Sequence, residues 1–219
     1  MFKNKKDIRK WLESNEIRNY VINSDLSVDC YQNVKLIKKI SVISKEEGLP
    51  VKFRIVHGDF ICAGLNLKSL NGCPDEVKGK FNCNDNFLEN LDFSPKIISS
   101  DYLCKNNKLK SLKGCPSIIH GWFNCSSNQL TSFDYFPKQV HALMFEANNI
   151  KEELLTDFKV IVVSSVIESD FGDGHDFFGN NDFNKKIQEV KMGAIIKEKE
   201  ELLNVSVIPS KKKEQKKRI

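Results

Sequence analysis

The sequence predicts a solenoid, a pile of short windings whose strands pair in parallel along the long axis. Three observations lead there. A 21-residue period runs through the middle of the chain. In each period an aromatic residue and a cysteine are separated by one variable residue, the spacing that puts two side chains on one face of a strand. A unit of ~20 residues cannot bury its own apolar side, so such units must stack to make a core.

The columns are specific. Phe60, Phe81, Tyr102 and Phe123 share one, and Cys62, Cys83, Cys104 and Cys125 follow two places later. Asn86, Asn107 and Asn128 share the next, with Leu65 as the exception in the first copy. Leu67, Leu88, Leu109 and Leu130 come next, then Leu70, Leu91, Leu112 and Phe133. Pro74, Pro95, Pro116 and Pro137 precede Val77, Ile98, Ile119 and Val140, which close the unit. Free cysteine behaves as a small hydrophobe, so the cysteine column reads as packing; a metal or redox ladder is the sharper alternative, and Phe145 takes the cysteine's place in the last copy. The asparagine amide can satisfy main-chain groups where each strand ends, and stacked copies would form a ladder. Proline fixes φ on the far side, and Gly72 and Gly114 suit a turn with φ > 0.

These units resemble leucine-rich repeats of the short bacterial class. They are closer still to repeat proteins encoded by bacteriophages and some bacteria. The carriers are "SLNGCPDEVKGKFNCNDNFL", "SLKGCPSIIHGWFNCSSNQL" and the divergent "NLDFSPKIISSDYLCKNNKL", and the resemblance covers about residues 20–165. It implies a leucine-rich repeat solenoid of the α/β class, mostly parallel β with an irregular convex side. It also implies a scaffold whose concave side binds a partner, here a phage-encoded factor engaging or inhibiting a host protein.

The ends are read in chain order. Residues 1–33 are expected to form an N-terminal cap: a short helix burying Ile8, Trp11 and Leu12, then a hairpin around Asn23–Ser24–Asp25. The solenoid spans 34–166, beginning with a strand at Val34 and Leu36 and an irregular insertion. After Pro137 the spacing drops to 20 residues, and a weaker unit continues the apolar columns with Phe158, Ile161 and Val163. Residues 167–208 hold a loop and a helical cap patterned on Phe183, Ile187, Val190 and Ala194, with Asn181 or Asp182 as N-cap. Leu202 and Leu203 extend that helix's apolar content, so pairing with another molecule is the alternative to capping. The loop's Phe171, Phe177 and Phe178 are expected to pack back or touch a partner, and its acidic residues lack the order of a calcium loop. Residues 209–219 read as a disordered basic tail.

Charge sharpens the functional classes. The net +5 resides in the final "KKKEQKKRI"; without it, basic and acidic residues balance at 28 each. That argues against a whole-surface nucleic-acid binder. No apolar run predicts a membrane span and no leader pattern is seen, so the expected location is the cytoplasm, where seven cysteines stay reduced. No nucleophile–base pair, phosphate loop, paired-acid site or cofactor signature appears, so the chain is not expected to be an enzyme, and no cofactor or metal is assigned. His57, His120 and His141 share a column, but a closed zinc site needs four ligands.

Residues flanking the inward pair point outward, where the repeat stops dictating identity. The partner-binding set is Asp59, Ile61, Lys80, Asn82, Asp101, Leu103, Lys105, Trp122, Asn124, Met144 and Glu146. Ile61, Leu103, Trp122 and Met144 are apolar where water is expected, the mark of an interface; the acids and lysines would supply rim charge. The alternative is that Trp122 folds against a neighbouring coil. A second functional class is nucleic-acid-associated binding, with Trp122 as stacking platform and Lys211, Lys212, Lys213, Lys216, Lys217 and Arg218 as phosphate contacts.

Overall fold

Each winding contributes two very short strands at a corner, and parallel pairing of successive windings builds a β-solenoid of about six turns. The computed structural model describes residues 1–36, 48–163, 166–168 and 177–205; the side chains of 166, 168, 177–184 and 198–205 fall outside that description.

The chain opens with helix α1 (Lys5–Ser14) and the antiparallel hairpin β1 (Tyr20–Ile22) and β2 (Val28–Cys30). Asn4 caps α1, its side chain accepting from the Asp7 amide at 2.9 Å, and Ile8, Trp11 and Leu12 are buried. Their helical spacing puts all three on the side facing the first turns, where Trp11 meets the Phe53 ring at 6.2 Å. β3 (Val34–Lys35) starts the ladder, pairing in parallel with β5 (Phe60–Ile61). Then β7 (Phe81–Asn82), β9 (Tyr102–Leu103), β10 (Ile118–Asn124), β11 (Gln139–Met144) and β13 (Val166–Glu168) add in order, with β12 (Ile161–Val162) also on β11 and β14 (Phe177–Gly179) antiparallel to β13. Two of the expected loop phenylalanines, Phe177 and Phe178, thus lie in a strand; Phe171 lies outside the described residues, as does the basic tail.

A single sheet with an irregular opposite side was the expectation. The segment closing each unit instead forms a second sheet of β1, β2, β4 (Phe53–Val56), β6 (Glu76–Val77) and β8 (Ile97–Ile98). Its physical origin is the alternation of an outward residue with inward Val77 or Ile98, joined to the turn before by Lys78 N–H to Val56 C=O and Ser99 N–H to Val77 C=O. In β10 the corner straightens into one seven-residue strand. A bulge between Ile119 and Trp122 absorbs the residue by which β11's turn is shorter.

The core is a set of ladders. Phe60 and Phe81 stack at 6.0 Å, Phe81 meets Tyr102 at 5.4 Å, and Tyr102 meets Phe123 edge-on at 5.7 Å. Such pairs add about 0.5–1.5 kcal/mol each beyond the area they bury. Cys62, Cys83, Cys104 and Cys125 are fully buried beside them. The third turn departs from consensus twice, and the departures meet: the Tyr102 hydroxyl and the Ser94 Oγ lie 2.7 Å apart in the interior.

One asparagine per turn closes each strand. Asn107 Oδ1 accepts from the Leu88 amide at 3.0 Å, while its Nδ2 donates to the carbonyls of Cys83 and Cys104 at 3.1 Å and of Lys105 at 3.3 Å. Asn86, Asn128 and Asn148 repeat the pattern, linking each turn to the one before. The residue before each is left-handed: Asp85, Asn106, Ser127 and Ala147 all have φ between 51° and 57°. The expected last unit is present but one residue out of step with the reading above. Val162 is the inward residue, pairing with Val140, whereas Ile161 and Val163 are exposed.

Helix α2 (Asn180–Val205) follows, burying Ile187 and placing Lys186 Nζ 2.8 Å from Glu152 of the 3-10 turn Glu152–Asp157. Ala194 faces solvent, so the packed stripe ends near Val190. No described helix is long and apolar enough to cross a membrane.

Two stability predictions follow from these ladders. Asn107→Ala orphans a buried amide and buried carbonyls and is expected to cost roughly 3 kcal/mol in urea unfolding, against under about 0.5 kcal/mol for the exposed Gln129→Ala. In a double-mutant cycle, Tyr102→Phe and Ser94→Cys each cost about 1 kcal/mol, and the double variant, which restores the consensus, recovers most of the loss.

Candidate interaction face

The outward residues of the nine-stranded sheet form two columns one strand spacing apart per rung. The first runs Asp59, Lys80, Asp101, Trp122 and Ala142. The second runs Ile61, Asn82, Leu103, Asn124 and Met144, with the register Ile61↔Asn82↔Leu103↔Asn124↔Met144.

The first column is not a free row of charges. Asp59 turns its Oδ1 onto the Lys80 amide at 2.9 Å, and Asp101 does the same to the Trp122 amide at 2.9 Å. Asn33 begins the series by accepting from the Asp59 amide at 2.8 Å. Each such carboxylate or amide occupies the space a side chain would need at the preceding position of the next turn. A Cβ on Gly58, Gly79 or Gly121 would run into Asn33, Asp59 or Asp101 respectively. Where the turn below carries Lys80 or Trp122, the position holds Ser100 or His141. A two-turn alternation results: an acid bonds the next main chain and demands a glycine there, and the following turn projects a long side chain. This is why "GKFNC" and "GWFNC" recur 42 residues apart, and why Lys80 and Trp122 are the projecting members. Lys80 Nζ leans back to 3.9 Å from Asp59 Oδ2, so the expected rim charges Asp59 and Asp101 are largely committed to the scaffold.

The second column alternates apolar and amide residues. Asn82 Oδ1 accepts from the Asn84 amide at 3.0 Å, and Asn124 Oδ1 from the Ser126 amide at 3.0 Å. Asn124 is buried, its Nδ2 3.4 Å from the Met144 sulfur, so it is a scaffold residue, not an open contact. Asn82 and Asn124 separate Ile61, Leu103 and Met144, so these three do not touch as neighbours along the column. What unites Leu103 and Met144 is Trp122. It lies on the diagonal from both, within reach of an aromatic side chain, opposite the buried Ala142. Trp122 is 39% exposed, so the ring is available on the outside of the wall. Ile61, Leu103, Met144 and Glu146 are half-buried, and Lys105 is exposed beside them, its amide held by Asn84 Oδ1 at 2.7 Å.

The cysteine column does not open onto this face. Burial pushes the thiol of Cys30 up to about 12 and those of Cys73, Cys83, Cys104 and Cys125 well above their ordinary value. Protonated and enclosed, they cannot act as nucleophiles near neutrality. Among the described residues no three His, Cys, Asp or Glu side chains converge as a metal site. His57 stacks on Tyr31 at 4.6 Å, whereas His120 and His141 are exposed on adjacent strands.

Two exposed apolar sets were not singled out from the sequence. Ile97, Ile118, Ile161 and Val163 stand on the outside of the closing segment. Phe93 and Tyr135 occupy the column of Gly72 and Gly114 and are 60% and 62% exposed. A column-by-column reading of departures from consensus would have found both. Comparison with protein-family models, with curated proteins and with solved structures returns no match.

The thiol shifts carry a pH dependence. Folded values lie above the ordinary 9.0, so the unfolded chain releases these protons first. Stability is therefore complete below about pH 9 and falls as pH rises beyond it. The urea midpoint is expected to be flat from about pH 7 to 8.5 and to drop steeply above 9. The triple variant Cys83→Ala, Cys104→Ala, Cys125→Ala should show a shallower drop, whatever its starting stability.

Proposed function

We propose that the chain is a leucine-rich repeat protein of the short bacterial and phage type, and that it binds another protein without catalysis through the wall centred on Trp122. The single observation that carries this reading is an exposed tryptophan flanked diagonally by Leu103 and Met144 on a wall whose neighbouring polar groups are already bonded to the main chain. Such a surface presents apolar area with few unsatisfied groups to desolvate, which suits a protein partner and the concentration of binding energy in one aromatic. By its resemblance, the partner is a host protein and the chain a phage-encoded factor acting in the host cytoplasm.

The test is affinity capture from bacterial lysate with the full chain. A discrete protein retained at high salt is expected, and Trp122→Ala should weaken its capture by roughly 2 kcal/mol, or about thirtyfold in Kd. Ser99→Ala, on the other sheet, should leave capture unchanged. A bound species that is nucleic acid, is released by salt and disappears on removal of residues 210–219 would reverse the reading in favour of the tail.

A further inference from the structure

We infer that the turn edge carrying Phe93 and Tyr135 is a second docking surface, distinct from the Trp122 wall, for a proline-rich segment of a partner in polyproline II conformation. The argument begins with a backbone anomaly. Four successive turns close with the same hydrogen bond, from the amides of Cys73, Ser94, Cys115 and Phe136 to the carbonyls three residues earlier. The third residue of each is left-handed: Gly72, Phe93, Gly114 and Tyr135, with φ of 91°, 64°, 100° and 62°. This is a type II turn, whose third position favours glycine because any Cβ there is strained. The repeat uses glycine twice and an aromatic twice, on alternate turns. Both aromatics are more than half exposed, so core packing does not offset the strain. Strain retained on exposed side chains points to a use outside the fold.

The spacing selects the occupant. Phe93 and Tyr135 are two rungs apart, ~9.6 Å at the usual strand separation. Between them Gly114 offers no side chain, and its carbonyl is held by Lys96 Nζ at 3.3 Å. A polyproline II helix presents the same face every three residues, ~9.3 Å along its axis. Prolines of a P-x-x-P segment running along the solenoid would therefore meet the two rings in step, the pairing by which aromatic grooves take such segments. Past Tyr135 the edge continues into a cleft of about 600 Å³ with Phe136, Pro137, Leu154 and Val160 in its lining, where the next residues of the segment would lie. Charge favours a neutral chain there. Asp134 and Asp157 are matched by Lys138 and Lys159 around that cleft, so neither an acidic nor a basic ligand gains net attraction.

The test is titration of the full chain with an acetylated decaproline peptide, followed by tyrosine fluorescence and by chemical shifts of the Phe93, Gly114 and Tyr135 amides. Saturable binding with shifts confined to this edge is expected. Phe93→Gly and Tyr135→Gly should each weaken it by roughly tenfold. Because glycine relieves the turn, the double variant should melt no lower than the parent, and by roughly 2–4 °C higher. Trp122→Ala should leave decaproline binding intact, which separates this surface from the wall. Absence of saturable binding, binding indifferent to the two glycine substitutions, or a double variant that melts lower than the parent would each overturn the inference.

Discussion

The structure depends on what happens at the end of a two-residue strand. Strands this short contribute few main-chain hydrogen bonds per rung, and the chain must leave the sheet while its carbonyls are still buried. An unsatisfied buried carbonyl or amide costs more than a single bond returns. The asparagine amide meets that demand from both sides, donating to carbonyls of its own turn and of the turn before and accepting an amide from the turn before. A left-handed residue just before it aims the side chain inward. Apolar ladders of phenylalanine, cysteine and leucine then fill the space that this closure defines, and they could not set the register alone, because apolar contact is not directional.

Once closure is internal, the outer positions are released from structural duty, but not all of them. Half of the outward column still serves the scaffold. Asp59 and Asp101 bond the next main chain and exclude a side chain at Gly79 and Gly121. The unit of design is therefore two turns: one anchors, the next projects. Lys80 and Trp122 on one face, and Phe93 and Tyr135 on another, are the projecting members. Residues of both kinds looked equally variable in the sequence, yet only the second kind can change without a compensating change one turn away.

This explains what was legible and what was not. The seven columns could be read because each imposes one residue type on every turn, and repetition makes a weak preference visible. The helix at the start and the hairpin after it could be read for the ordinary reason that Ile8, Trp11 and Leu12 and the Asn23–Asp25 turn follow familiar spacing. The second sheet was hidden because its strands are two residues long, too short for alternation to register, and because Ile97 and Ile118 put apolar side chains on the outer face. The one-residue slip at Ile161–Val163 came from carrying a 21-residue frame past a bulge that had already shortened it. Asn124 looked like a contact because its strand position faces outward; its burial arises from Met144 and Ser126 in three dimensions.

Native-state hydrogen exchange of the Leu88, Leu109 and Leu130 amides tests the central claim most directly, because their acceptors are the Oδ1 atoms of Asn107, Asn128 and Asn148 at 3.0, 3.0 and 3.1 Å. If the amide ladder holds the turns in register, these three exchange only through global opening, with the same free energy as the strand amides of Cys104 and Cys125. Exchange of the leucine amides on the timescale of surface turns, while the strand amides stay protected, would contradict the account.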